Sequence, residues 1–247
     1  MRFDKFISQK LNISRNQALE LIHNESILLD GKHQKASFDV RMQGLSDEEI
    51  LHSKSLKLTL LDEIYVSRAA LKLKGFLEDF SLDIRGKKCL DIGSSTGGFV
   101  QVLLENKASF VVALDIGSNQ LHHSLKTHPK VQSVENTDIK SYKNDEKFEL
   151  ITCDISFTSL KNVLFCIDKL AKRLILLLFK PQFEVGIKAK RDKNGVVKDE
   201  KAINKAKIDF EKECLKLGWL LKAVSPSKLK GKEGNSEFFY LYSKAKD

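Results

Sequence analysis

Six charged residues stand where apolar runs stop. Asp91 follows KKCL, Asp115 follows SFVVAL, Asp138 comes just after KVQSVE, Asp154 follows FELITC, Lys180 follows LILLLF and Glu237 precedes FFYLY. In an α/β protein the ends of such runs are where ligands meet the chain. Carboxylates there suit the hydroxyls and amines of a cofactor. A lysine emerging directly from six apolar residues lies where a sheet interior meets a cleft, and desolvation or a second cation there would favour the neutral form that accepts a proton.

The first of these ends opens into CLDIGSSTGGF, residues 89–99. A dinucleotide fingerprint needs a glycine two positions after Gly93, and that position is Ser95. A phosphate-binding P-loop fits Gly93 and Gly98, but Phe99 and Val100 stand where its lysine and hydroxyl belong. S-adenosylmethionine (SAM) carries no phosphate and needs no such lysine. Gly93, Gly97 and Gly98 would let backbone approach it closely, and Asp91 would face its cationic sulfonium and amino groups. An ordinary strand-to-helix turn is the competing reading. Asp115 lies 22 residues beyond Gly93, the distance at which a carboxylate meets a cofactor ribose. Asp138 is placed for an adenine edge.

The elements that must hold these residues follow from periodicity. Runs at KKCLDI, SFVVALDI, KVQSVE, FELITCDI, RLILLLF, WLLKAV and EFFYLY read as strands, most of them separated by helix-length segments. That alternation predicts a doubly wound, mostly parallel sheet of seven strands. The last two runs are joined by the short SPSKLKGKEGN loop and suit an antiparallel pair. Ahead of them Leu73, Phe76, Leu77 and Phe80 mark one face of a helix, with Arg68 and Lys72 on a neighbouring face. Residues 1–60 read as a separate α+β module. Phe3, Phe6, Ile7 and Leu11 have helical spacing. Ser14 and Gln17 form a capping box for a second helix buried through Ala18, Leu21 and Ile22. Asp30-Gly31 predicts a tight hairpin after SILL. The domain boundary falls in the polar, then weakly strand-like stretch 40–62. The division expected is a small module over 1–60, a linker over 61–66 and a large domain over 67–247.

The chain has 247 residues and a net charge of +9. Residues 185–235 hold 14 Lys/Arg against 7 Asp/Glu, an excess that suits an anionic partner, most often nucleic acid. The N-terminal module carries six cations before residue 36 but nearly balances them with four acids, so arrangement would have to make its case. MRFDKFISQK is not a signal peptide, and no run approaches membrane-span length. Cys89, Cys153, Cys166 and Cys214 are far apart and read as reduced core residues. His122, His123 and His128 lack partners at ligand spacing, so no metal is expected. A cytoplasmic location is the simplest expectation.

Four of the charged positions carry a resemblance. Lys72 in SRAALKL, Asp154 in TCDISF, Lys180 in LFKPQFE and Glu237 in GNSEFFYLY are similar in order, spacing and context to the K-D-K-E tetrad of the FtsJ-like ribose 2′-O-methyltransferases. The N-terminal module resembles the S-four RNA-binding domain, and the two together resemble the TlyA family, also labelled hemolysin, over essentially the whole chain. The resemblance implies a Rossmann-like class I SAM-dependent methyltransferase fold behind a small RNA-binding domain. It implies 2′-O-methylation of cytidine in ribosomal RNA, with large-subunit (23S) RNA favoured by the chain's shortness and 16S RNA left open as a second substrate.

By this resemblance Lys180 orients or deprotonates the ribose hydroxyl, Asp154 and Glu237 hold it, and Lys72 completes the network. SAM would be held by Asp91, Gly93, Ser94, Ser95, Thr96, Gly97, Gly98, Phe99, Asp115, Asp138 and Asp154. RNA would be gripped by Arg2, Lys5, Ser14, Arg15, Lys35 and Arg68, with the segment Ile64–Ser67 coupling binding to reaction. Phe157 is a candidate to stack on the cofactor or a flipped base, with a core position as the competing reading. Three other functions stay in view: a membrane-active hemolysin, a non-catalytic RNA-binding ribosome-assembly factor, and a small-molecule methyltransferase. The complete tetrad argues against the second, the N-terminal module against the third, and the lack of an amphipathic or long apolar segment against the first.

Overall fold

The computed structural model describes residues 1–244 other than 24, 43, 62 and 63. Contacts divide the chain into two compact units, Met1–Ile64 and Tyr65–Asp247. The linker expected over 61–66 falls partly on residues outside the described ones. Among the described residues, no helix is long and apolar enough to cross a membrane.

The first unit contains α1 (Phe3–Lys10), α2 (Arg15–His23), β1 (Ile27–Leu29), α3 (Asp47–His52) and β2 (Leu58–Leu60). Phe3, Phe6 and Ile7 of α1, Ala18 and Leu21 of α2, and Ile27 and Leu29 of β1 share one small core. The Ser14–Gln17 capping box forms: Gln17 N donates to Ser14 Oγ at 3.2 Å and Ser14 N to Gln17 Oε1 at 2.9 Å. The expected turn at Asp30-Gly31 also forms. Both residues are left-handed, with φ of 49° and 76°, and Leu29 and Lys32 exchange backbone hydrogen bonds of 3.0 Å. The hairpin does not continue. β1 pairs instead with β2, Ile27 opposite Leu60 and Leu29 opposite Leu58, because Gln34 onward turns away and Phe38 O accepts from Phe3 N at 2.8 Å. α3 lies within the stretch 40–62 expected to be polar and weakly strand-like. Its signal was present: Ser46 and Glu49 make a second capping box.

The second unit starts with α4 (Arg68–Asp79). Then come β3 (Lys88–Ile92), α5 (Gly98–Glu105), β4 (Phe110–Leu114), α6 (His123–Lys126), β5 (Val131–Val134), β6 (Phe148–Cys153), a 3-10 turn over Leu160–Asn162, and α7 (Leu164–Leu170). β7 (Ala171–Phe179), α8 (Pro181–Glu184), α9 (Glu200–Lys216), β8 (Trp219–Pro226) and β9 (Phe238–Lys244) complete it. All seven expected strands join one sheet in the order β5-β4-β3-β6-β7-β9-β8. It is parallel through β7, with β9 antiparallel to both β7 and β8. The insertion of β9 between β7 and β8 is what brings Glu237 beside Lys180, since Phe238 lies opposite Phe179.

The continuous apolar strands are covered on both faces, as such sequences require. Leu73 and Phe76 of α4 and Phe99, Val100 and Leu103 of α5 pack on the face formed by Val111, Leu150, Leu176, Phe239 and Leu241. Leu164 and Ile167 of α7 and Phe210 of α9 pack on the face formed by Leu90, Ile151, Ile175, Leu177 and Tyr240. Cys89, Cys153 and Cys214 are buried and Cys166 half-buried, all as free thiols. His122 caps α6, its ring accepting from Ser124 N, and no group of metal ligands forms among the described residues.

Candidate active site

The carboxyl ends of β3, β4, β5 and β6 surround a cavity of about 570 Å3 lined by Gly93, Ser95, Asp115, Asp138, Asp154 and Phe157 among others. Gly93 has a φ of 77°, and a Cβ there would stand 2.7 Å from the backbone oxygen of Asp154, so only glycine lets the β3 loop lie against the β6 end. Asp115 ties this floor together. Its carboxylate accepts from Ser95 N and from Gly117 N, each at 2.7 Å. Each oxygen keeps a lone pair for a further donor.

Asp91 is fully buried one residue before the lining residue Ile92. The parallel register sets it beside Thr152, whose Oγ1 donates to Asp91 Oδ1 at 2.6 Å. Asp91 Oδ2 is buried with no hydrogen-bond partner. Burial pushes this carboxyl up to about 7, against the Thr152 hydrogen bond and with the nearby Asp154 and Asp115 charges adding to the rise. A buried acceptor in want of a donor, next to a cavity with further carboxylates, fits the cationic amino acid end of SAM.

The rest of the expected loop is tightly packed. Gly97 caps α5 with a left-handed φ of 97°. Gly97 and Gly98 are close-packed against Leu121 and Ala70, within 2.8 Å of where each Cβ would stand. Phe99 is buried between Phe239 and the α4 side of the core. Ser94 is buried and Thr96 half-buried, and neither lines the cavity. Packing alone therefore requires small residues at Gly97 and Gly98, because helix meets helix at this turn.

Two ion pairs occupy the neighbouring strand ends. Lys180 follows β7, and its Nζ faces Asp154 Oδ1 at 2.5 Å. The contact is ionic; the lysine's aligned hydrogen bond goes to Ser156 Oγ at 2.9 Å. Lys72 reaches in from α4, its Nζ donating to Glu237 Oε2 at 2.6 Å. Glu237 Oε1 accepts from Gln182 Nε2 at 3.3 Å. Lys72, Lys180 and Glu237 are all buried. The expectation that Asp154 and Glu237 both hold Lys180 is corrected: Asp154 contacts it, whereas Glu237 turns to Lys72 and Gln182.

Sequence reasoning missed the partners of these groups. Ser156, Gln182 and Thr152 each needed a register or a loop path to be found. Glu184, four residues after Lys180, is a fourth. Its carboxylate accepts from Ser159 Oγ at 2.5 Å and Leu160 N at 2.7 Å, pinning the loop that carries Ser156 and Phe157. Burial raises its pKa against these hydrogen bonds. Phe157 is not a core residue. It is 93 % exposed, has a left-handed φ of 66° that is uncommon for a bulky side chain, and lies 5.5 Å from the Phe183 ring.

In the first unit, Asp4 is buried and collects two arginines. Arg2 Nε lies 3.1 Å and Arg15 Nη2 2.9 Å from its oxygens. Burial works to raise the Asp4 pKa, and the hydrogen bonds from Arg2 and Arg15 outweigh it, holding the carboxyl below its ordinary value. Lys5 lies 3.4 Å from Asp47, Ser14 is committed to its capping box, and Lys35 is exposed. Arg68 opens α4 one turn before Lys72.

Residues 65–244 match the FtsJ-like methyltransferase family. A 23S rRNA (cytidine-2′-O)-methyltransferase TlyA from Campylobacter jejuni subsp. jejuni is 63% identical over 252 residues, covering 99% of this chain and 100% of that protein. A 16S/23S rRNA (cytidine-2′-O)-methyltransferase TlyA from Mycobacterium tuberculosis is 36% identical, covering 95% of this chain and 86% of that one. A solved structure described as a hemolysin, from Streptococcus thermophilus, superposes with a TM-score of 0.71 at 27% identity over 99% of this chain and 88% of its own.

Proposed function

The chain belongs to the FtsJ-like methyltransferase family, and from that premise we propose that it methylates the ribose 2′-hydroxyl of a cytidine in ribosomal RNA, the large-subunit RNA foremost. The observation that carries the reading is the placing of the Lys180–Asp154 and Lys72–Glu237 pairs at strand ends beside the glycine-loop cavity. SAM supplies an electrophilic methyl group. Gly93, Ser95, Asp91, Asp115 and Asp138 are the residues fit to hold it, Asp91 by its unpaired buried oxygen.

A ribose hydroxyl is a weak nucleophile and a weak acid, so positioning should supply much of the acceleration. Lys180, donating to Ser156 and facing Asp154, is built to present an N–H to the 2′-oxygen and aim its lone pair. Asp154 lines the same cavity and is the carboxylate nearest to take up the hydroxyl proton. The buried Lys72–Glu237 pair and Gln182 exclude water and hold the adjoining strand end. Phe157 offers an exposed ring face for a base brought out of its stack. Arg2, Lys5, Arg15 and Lys35 of the first unit and the basic 185–235 segment supply phosphate contacts. Such an enzyme works where ribosomal subunits are made, in the cytoplasm.

The test is transfer of labelled methyl from SAM to separated ribosomal subunits from cells lacking this gene, with Lys180→Ala as control. Label at a cytidine 2′-hydroxyl of the large subunit, lost in the control, is expected. Label on neither subunit, with SAM binding intact, would sink the ribosomal assignment.

A further inference from the structure

On the α9 face of the sheet lies a second cavity, of about 380 Å3. Its walls include Pro181 and Phe238, each one residue beyond a member of the tetrad, Lys180 and Glu237. Side chains alternate across a strand. Glu237 and Phe239 therefore point toward α4, and Phe238 toward α9. The cavity and the ion pairs thus share strand ends and lie on opposite sides of them.

Three ammonium groups line this space, from Lys198, Lys207 and Lys230, against one carboxylate, Glu200. Lys198 has a partner, Asp192 at 3.4 Å. Among the described residues, no carboxylate stands at salt-bridge distance from Lys207 or Lys230. Lys207 is half-buried, and its Nζ lies 3.1 Å from the centre of the Phe238 ring. The ring face attracts the cation but does not neutralise it, and burial disfavours its charged form more than the charge of Glu211 favours it. A partly desolvated cation with no salt bridge, in a pocket of ligand size, gains from an incoming anion.

We propose that this cavity seats a backbone phosphate of the substrate RNA flanking the methylated nucleotide, with Lys207 and Lys230 supplying its counter-charge. The proposal rests on the RNA reading above. A phosphodiester is present at every nucleotide, so a site of this kind sets the register of the strand over the catalytic pairs without reading its sequence. Its place one residue from both Lys180 and Glu237 suits it to hold the strand beside the catalytic pairs.

The experiment measures affinity for the ribosomal RNA substrate at graded salt for the wild type, Lys207→Met, Lys230→Ala and the double variant. Met keeps the buried aliphatic stem of Lys207, and Lys230 is exposed, so folding is not the issue. Loss of one phosphate contact lowers the slope of log K against log salt by about 0.7 for a single strand. The double variant is expected to lose roughly one such contact and to raise KM for RNA about tenfold, with SAM affinity unchanged. Lys222→Ala, at an exposed lysine outside the cavity, should change neither. A double variant with wild-type slope and KM overturns the proposal, and so does an equal loss in Lys222→Ala. If the wild type methylates no ribosomal RNA, the functional reading has failed on its own. Titration with inorganic phosphate, followed at the backbone amides of Asn235 and Ser236, then decides the site. Shifts in the wild type alone keep an anion site but replace RNA with free phosphate as its source, and no shifts overturn it.

Discussion

Both units bury a carboxylate against cations, and they leave the cations in opposite conditions. In the first unit Asp4 is buried while the side chains of Arg2 and Arg15 remain 55 % and 56 % exposed. In the second, Lys72 and Lys180 are only 11 % and 9 % exposed, against partners equally withdrawn. Exposed guanidiniums anchored from below present charge outward at low entropic cost, which suits a phosphate backbone. Buried ammoniums facing carboxylates interact in a low dielectric and hold fixed geometry, which suits chemistry on a neutral hydroxyl. The same pairing of charges suits grip in one place and reaction in the other, and burial separates the two.

The comparison breaks most sharply at Lys180. Lys180→Ala should lower kcat by about 10²–10⁴-fold with little change in RNA affinity, measured by single-turnover transfer. Lys72→Ala leaves Glu237 buried and unpaired and should cost about 3–5 kcal/mol of stability, read by denaturant unfolding, whereas Lys72→Met with Glu237→Gln should recover much of it. If Lys72→Ala unfolds like the wild type, the pair is not the buried element described. Glu184→Ala releases the loop of Ser156 and Phe157. A drop in kcat of about tenfold is expected, with Glu184→Gln retaining most of the rate, since its amide oxygen still accepts a hydrogen bond.

Asp91 sharpens the picture through pH. Its folded pKa, about 7, lies above that of an unfolded carboxyl, so the native state without cofactor loses stability as pH rises from the ordinary carboxylate range through about 7. Asp91→Asn should therefore raise the Tm at pH 8 and converge with the wild type in acid, while weakening SAM binding. An unchanged Tm at pH 8 would contradict the buried, unpaired carboxylate. Asp4 has the opposite sign. Its pKa is lowered by the two arginines, so its contribution is present above the ordinary carboxylate range and fades as pH falls below it. Asp4→Asn should cost only about 1 kcal/mol, since the exposed arginines return to water. It should also loosen Arg2 and Arg15 enough to weaken RNA binding a few-fold, leaving SAM binding unchanged.

Much of the fold was legible from local pattern. Seven apolar runs became seven strands because a sheet covered on both faces demands continuous apolar sequence. The Ser14–Gln17 box, and the overlooked Ser46–Glu49 box, are local because their hydrogen bonds span three residues. The turn at Asp30-Gly31 was legible for the same reason; β2 as the partner of β1 was not, because strand pairing is decided across some 30 residues by which apolar faces meet.

What the sequence determined by itself were residue types and their order: carboxylates and lysines at strand ends, a loop able to host a nucleoside cofactor without phosphate, and a basic C-terminal third. Only the tertiary structure decided who faces whom. Phe157, readable as core, is exposed because its loop is held by Glu184. Gly97 and Gly98 stand where a Cβ would collide with Leu125 and Ser67, a close approach that no local stretch announces. Glu237 pairs with Lys72 across 165 residues because β9 inserts beside β7 while α4 packs on that face. Side-chain pairing depends on register and on which face of a strand or helix a residue occupies, and those are set by the simultaneous burial of many apolar groups, a condition no local stretch contains.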